Sequence, residues 1–437
     1  MSADARTAIS TWRLPASPAG TGGAGRAGVG RDGSFATYLA RYRVGGLSPA
    51  VADSRPAGLG GPDDLSPAGS HGSTAAILPA KTAPSAAAGG APAEVGRSGV
   101  IPSSPASPGS TPTGAPIPGT KPMALADFPR PAGDNGRCMH WVPITHTSDD
   151  VVDRYVAEAE KMGIKWMVFL NEGTKIGDND YLVKRLVEKG IMPIMRIYTP
   201  NGQPIQGDVQ ALVRHYRQLG VSYFQLYNEP NLNVENPDGV PNVDRYVDDW
   251  IRAARDVVAA GGLPGFGSLS PGGNFDDVEF FRRSLDAIKA RGEAAILDRA
   301  WISLHNYTLN HPLNYTKDSN AYLKFRWYDA IVREKLGRSL PIIGTEGGTF
   351  VGSHEDTTLP PVSQQMQIDM VLGAYDYVRR RQDPYYFAYT YWLIANEAGG
   401  GHDKGFSRHA LFRPDGVSPL VDALRRTATA TATATAR

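Results

Sequence analysis

"KWMVFLNEGTKIGDNDYLVKRLVEKGIMPIMRIY", residues 165–198, decides the fold. It reads as a short apolar run, an amphipathic stretch of helical period, and a second apolar run. Two buried strands joined through a helix are the unit from which α/β folds are built.

The alternation extends in both directions from this stretch and repeats eight times from Arg137 onward. "CMHWVP" (138–143) opens it as a strand, and "SDDVVDRYVAEAEKMG" follows as a helix with Ser148 as N-cap and Gly163 as stop. "MPIMRIY" pairs with "DVQALVRHYRQLG", and "YFQLYNEP" with "NVDRYVDDWIRAARDVVAAGG". "LPGFGSLSP", "AWISLHNYT" and "LPIIGTEGG" each precede a helical stretch, and "YYFAYTYWLI" precedes "SPLVDALRR". Eight strand-helix units over roughly 290 residues match a (β/α)8 TIM barrel, an α/β fold of about 250 residues before insertions. An open doubly wound sheet competes, but "VPITHTS" rather than a Gly-rich phosphate turn follows the first strand.

Residues 1–125 have another texture. Much of the chain's Gly (49) and Pro (34) lies there, and the aromatics stop at Trp12, Phe35, Tyr38 and Tyr42. So little apolar surface cannot offset the entropy of ordering a backbone, and this Ala/Gly/Pro/Ser-rich region is expected to be disordered. "GSFATYLARYRVGG" (33–46) is its one patterned segment, a short docking helix at most. The barrel is then expected over 126–426, with "TATATATATAR" (427–437) as a low-complexity tail.

The 45 basic and 44 acidic residues leave a formal charge of +1, which points to neither nucleic acid nor an anionic membrane as partner. No apolar run is long enough to span a bilayer, and the N-terminus lacks the apolar core of a signal peptide. A lone Cys138 excludes an internal disulfide and a cysteine-based metal cluster, and is expected to be a small buried residue. A monomer is expected.

Polar residues collect where the strands end: Arg196 on the third, Asn228 and Glu229 on the fourth, His305 and Tyr307 on the sixth, Glu346 on the seventh and Trp392 on the eighth. Side chains alternate along a strand, so His305 and Tyr307 face one way, and Arg196 shares the inward face with Met192 and Ile194. Glu229 and Glu346, on strands across the barrel, can face each other over its mouth. A facing pair of carboxyls is what glycoside hydrolysis requires. Burial and like charge keep one of them protonated. Glu346, with Arg196 and Tyr307 in reach, is the one expected to ionise, which leaves Glu229 as the acid.

"NEP" on strand four, His305-x-Tyr307 on strand six, "GTEGG" on strand seven and a Trp on strand eight together resemble the clan A retaining glycoside hydrolases, which include cellulases, mannanases and β-xylosidases. "HALFRPDGVSPLVDAL" (409–424) is similar to that clan's segment after the last strand. The resemblance covers the barrel and nothing before about residue 125. It implies cleavage of β-glycosidic bonds in a poly- or oligosaccharide, with Glu229 as acid/base and Glu346 as nucleophile. It further implies that Asn228 bonds the sugar 2-hydroxyl, that Tyr307 and Arg196 hold the nucleophile, that His305 binds sugar hydroxyls or the acid/base, and that Trp392 floors the cleavage site. His140 and Trp141 on strand one stand where a subsite is expected, with plain packing as the other reading. Glu172, Glu397 and His402 lie in loops over the same face.

A metal-dependent barrel hydrolase would need a His-x-His pair on strand one, where only His140 stands. Gly347 and Gly348 fit half of a phosphate-binding barrel, and no Lys ends a strand to form a Schiff base. No metal or organic cofactor is therefore expected. An inactive, carbohydrate-binding barrel is the alternative from outside enzymology, and the presence of both carboxylates argues against it.

Overall fold

The computed structural model describes residues 121–396 and 406–435. Strands β1 (Arg137–His140), β2 (Trp166–Glu172), β3 (Met192–Tyr198), β4 (Tyr223–Leu226), β5 (Leu263–Gly267), β6 (Trp301–Tyr307), β7 (Ile342–Gly348) and β8 (Tyr386–Tyr391) alternate with helices. The helices are α1 (Asp149–Lys161), α2 (Asp180–Glu188), α3 (Val209–Leu219), α4 (Val243–Ala259), α5 (Asp277–Ala290), α6 (Phe325–Leu336), α7 (Gln364–Arg379) and α8 (Leu420–Thr435). Each strand pairs in parallel with the next in chain order, and β8 returns to β1, so the sheet closes as a (β/α)8 barrel. Among the described residues no helix is long and apolar enough to cross a membrane.

The helices bury the stripes that their sequence period implies. In α1 these are Val152, Tyr155, Val156 and Ala159, spaced to fall on one face against the sheet. Ser148 stands at the N-cap, although its hydroxyl makes no capping bond, and Gly163 ends the element with φ +68°. A side chain at Gly163 would be strained in that conformation and would also meet Ala428 of α8 at 2.8 Å. The repeat after residue 426 continues α8 as far as Thr435. Alanine favours helix, and Thr427 is tied to β1 by the Arg137 guanidinium at 3.0 Å. Residues just before 126 also pack on the barrel. Met123 and Leu125 pack against the floor of the barrel interior, and the Met123 amide donates to Asp298 O at 3.1 Å. Residues 1–120, with the segment 33–46, lie outside the described residues.

Inward-facing side chains fill the lower half of the barrel. Trp166, Ile194, Tyr223, Trp301, Ile343 and Phe387 form this plug, with Trp166–Tyr223 and Tyr223–Trp301 ring centroids 5.7 and 5.6 Å apart. Cys138 belongs to it and is fully buried, as expected, which pushes its thiol pKa up to about 12. Every polar tip in the aromatic part of this plug is used. Trp166 Nε1 donates to Asp134 Oδ1, Trp301 Nε1 to Leu263 O, and the Tyr223 hydroxyl to Pro129 O. The complementary outward residues pack under the helices in a second, larger core.

Candidate active site

On β6 the plug gives way to chemistry within one strand. Trp301 sits in the plug; two and four residues on, Ser303 and His305 point the same way, and Tyr307 follows. Ser303 continues a buried row of hydroxyls, accepting from Ser268 Oγ at 2.8 Å and lying 2.7 Å from Thr345 Oγ1. This row separates the dry plug from the charged layer above it.

β7 reaches that layer through an irregularity. Leu304 is in register with Gly344, but the next residue, His305, is in register with Glu346, so Thr345 is an extra residue on the β7 side. Ile343 faces the interior, and strict alternation would turn residues 345 and 347 inward and Glu346 outward. The bulge restores Glu346 to the inner face beside His305.

There Glu346 is 2% exposed and held on both oxygens. Arg196 Nη2 donates to Oε1 at 2.5 Å and the Tyr307 hydroxyl to Oε2 at 2.6 Å. Burial by itself would push this carboxyl up, but His305, the Arg196 charge and the Tyr307 hydrogen bond outweigh it and hold the group well below the usual carboxylate range. Arg196 reaches it because β3 alternates Met192, Ile194, Arg196 toward the interior. The Tyr307 hydroxyl moves the other way, well above the ordinary phenol value, through burial and the adjacent carboxylates.

Glu229 approaches from the opposite side on a contorted segment. Tyr227 and Glu229 both have left-handed backbone, φ +65° and +39°, as does Ser268, whose carbonyl accepts from the Glu229 amide at 2.9 Å. Such conformations in non-glycine residues cost free energy and concentrate at functional sites. Their effect is to turn Tyr227 outward against Tyr246 and to bring a fully buried Glu229 over the barrel axis. His305 stands between the carboxylates, Nδ1 donating to Glu229 Oε1 at 3.1 Å and lying 3.7 Å from Glu346 Oε2. One ligand atom from each of Glu229, His305 and Glu346 falls within 4.8 Å of the others. Three such groups are a conceivable cation site, but Glu346 already carries a guanidinium and a phenol on its two oxygens, an arrangement that repels a metal ion and suits a lone carboxylate.

His140 is buried at the end of β1, with Nδ1–H donating to Trp141 O at 2.9 Å and its ring 4.2 Å from that of Trp392. Burial, and then the Arg196 charge, lower its pKa to about 3, so it is a neutral imidazole near pH 7. Of the two readings open for Trp141, its surroundings fit packing. Cys138 and His140 take the inward positions of β1, so Trp141 turns outward, bonds Thr147 Oγ1 at 3.3 Å and packs edge-on against Tyr155 of α1. Trp392 lies over the barrel mouth against Phe406, centroids 5.3 Å apart.

Arg196, which holds Glu346, lines a cleft of about 840 Å³ with Asn228, Trp392, Leu170, Tyr198 and Glu235. Asn228 Nδ2 donates to Glu235 Oε1 at 2.9 Å. Glu172 is exposed and faces Lys175, while Glu397 and His402 lie outside the described residues. The sequence reading missed Tyr198, Glu235 and Phe406. Tyr198 was findable, two residues beyond Arg196 on the same face; no local pattern marks Phe406.

No family model matches the chain, and no curated protein matches it. Solved glycoside hydrolases do match in structure. One is a family 39 glycoside hydrolase from the gut symbiont Bacteroides cellulosilyticus, at 16% identity over 68% of this chain and 64% of that one, TM-score 0.47. Another is the endo-β-1,4-mannanase from Thermotoga petrophila, at 13% identity over 70% and 78%, TM-score 0.43. A third is Bacteroides uniformis β-glucuronidase 2, covalently bound to cyclophellitol-6-carboxylate aziridine, at 14% identity over 68% and 36%, TM-score 0.43. This chain spans less than two thirds of the length of the first and the third. The barrel architecture itself rests on the strand order.

Proposed function

We propose that the protein hydrolyses β-glycosidic bonds in a poly- or oligosaccharide with retention of configuration. The observation that carries this reading is the pair of buried carboxylates, Glu229 and Glu346, with an oxygen of each within 4.8 Å. That approach is close to the roughly 5–5.5 Å of retaining enzymes and short of the roughly 6.5–9.5 Å that inverting enzymes leave for a water.

In the first step Glu229 gives its proton, carried on Oε2, to the leaving oxygen as the bond from that oxygen to the anomeric carbon breaks. Glu346, ionised through Arg196 and Tyr307, attacks the same carbon and forms a glycosyl ester. In the second step Glu229 takes a proton from water, the water oxygen bonds the anomeric carbon, and Glu346 leaves as a carboxylate. His305 donates to Glu229 Oε1 throughout, which keeps that carboxyl aimed while Oε2 exchanges the proton. Asn228 engages the 2-hydroxyl of the sugar at the cleavage site, and Trp392 offers its face to the apolar side of the ring. His140, neutral and packed on Trp392, supports that face and completes the subsite.

The experiment is turnover of β-glucans, β-mannans, xylans, β-galactans and their aryl glycosides by the full chain and its Glu346→Gly variant. The variant should lose at least about a thousandfold in kcat and recover part of it with azide, which fills the vacated space as an external nucleophile. Wild-type rates in the variant would end the assignment of Glu346. Binding without turnover by the wild type would favour a carbohydrate-binding barrel.

A further inference from the structure

The run that carries the acid/base continues as "NEPNLNVEN", residues 228–236, and its later members build a bracket around the first. Asn231 clasps the loop after β5, donating to Ser270 O at 2.8 Å and accepting from the Ser270 amide at 2.9 Å. Asn236 Nδ2 reaches back to Pro230 O and Leu232 O at 2.9 and 2.6 Å, and Arg245 of α4 fixes its oxygen at 2.8 Å. Between them the turn Asn233–Glu235 is closed by the Glu235 amide donating to Leu232 O at 3.2 Å. The loop after β3 presses on this turn from outside. A Cβ on Gly202, at φ +59°, would sit 2.2 Å from Glu235 O, so only glycine permits the approach.

The bracket delivers one carboxylate, Glu235, 7% exposed, to the side chain of Asn228. The Glu235 oxygen accepts from the Asn228 amide, and of the two amide atoms only Nδ2 can donate. Asn228 Oδ1 is then on the far side of the amide. That oxygen is buried and has no hydrogen-bond partner among the described residues, and Asn228 lines the cleft. A buried acceptor without a partner is costly unless a ligand satisfies it.

We propose that Glu235 is a positioning residue that locks the Asn228 amide with its nitrogen held by the protein and its oxygen presented to the substrate, so that the site requires a ring hydroxyl donating to Asn228 Oδ1. The proposal rests on the glycosidase reading and deepens it. Without Glu235 the amide can flip or rotate, and the discrimination between a hydroxyl and its absence is lost. Sites that bond a substrate hydroxyl reject analogues lacking it much more strongly than apolar pockets reject size changes.

The test compares kcat/KM of the full-length wild type, Glu235→Ala, Glu235→Gln, Asn228→Ala and the double alanine variant on the best aryl β-glycoside and its 2-deoxy counterpart, with melting curves alongside. Glu235→Ala should lose about 10- to 100-fold on the hydroxylated substrate and under about threefold on the 2-deoxy one. Glu235→Gln keeps an acceptor at the same place and should recover most of the loss. The double variant should be no worse than Asn228→Ala, because both substitutions remove one interaction. Equal losses on the two substrates, multiplying losses in the double variant, or wild-type rates in Glu235→Ala would each overturn the proposal with the glycosidase reading intact. A wild type silent on every glycoside would overturn that reading and the proposal with it.

Discussion

The lower and upper halves of the barrel interior are built from the same strands and obey opposite rules. Below, Ile194 on β3 and Trp301 on β6 belong to a plug whose aromatic polar tips all have partners. Two to six residues further along the same strands stand Arg196, His305 and Tyr307, packed around two buried carboxylates. Around them, His140 Nε2, Arg196 Nε, Asn228 Oδ1 and Trp392 Nε1 are buried with no partner among the described residues. Asp329, Arg338 and Arg425 also bury polar atoms without a hydrogen-bond partner among the described residues, so it is the clustering of the former four around the two carboxylates that sets the charged layer apart from the plug.

This contrast can be broken by experiment. Its largest expected effect is the loss of turnover in Glu346→Gly, which should lower the thermal midpoint by leaving Arg196 buried without its carboxylate, yet keep a cooperatively folded barrel because the plug is untouched. A collapse of folding in that variant would mean the charged layer is structural after all. Next comes the plug. Trp301→Ala should destabilise by about 3–5 kcal/mol in urea unfolding, while kcat/KM well below the melting temperature stays within about tenfold. Loss of activity without loss of stability would erase the division between the layers.

The smallest effect sharpens the upper layer. Tyr307→Phe removes one of the two donors that hold Glu346 below the ordinary carboxylate range, and should cost about 10- to 100-fold in kcat/KM. The sign of its pH effect follows from the depressed carboxyl. In the proposed mechanism activity requires Glu346 ionised, so it should fail as pH falls through the folded-state value, and raising that value should move the acid limb to higher pH. Stability contributed by the ionised group behaves alike, present above the ordinary carboxylate pKa and lost as pH falls through the depressed one. An acid limb that stayed in place, measured as kcat/KM against pH, would show that Tyr307 does not tune Glu346.

Most of the barrel was readable because eight apolar runs and eight amphipathic stretches carry their periods in the sequence, and a period is a local property. Period two also predicted the shared face of His305 and Tyr307 and the inward turn of Arg196. Applied to β1 it would have separated His140 from Trp141, since Cys138 fixes which face is inside. What stayed hidden depends on the neighbouring strand or on a distant loop. The register shift beside Thr345, which turns Glu346 inward, exists only in the pairing of β6 with β7. The hydrogen bond from Asn228 to Glu235 needs the left-handed turn at Glu229 and the bracket after it. The continuation of α8 past residue 426 depends on packing against Gly163 and Arg137, which an alternating Thr-Ala repeat does not announce.

The most direct measurement is intact-protein and peptide mass spectrometry after incubation with 2-deoxy-2-fluoro-β-glycosides bearing a good leaving group. The retaining account predicts a stable adduct of one fluoroglycosyl unit on the peptide containing Glu346, absent from Glu346→Gln. An enzyme that cleaves β-glycosides yet forms no adduct, or carries it on Glu229, would contradict the assignment on which the account rests.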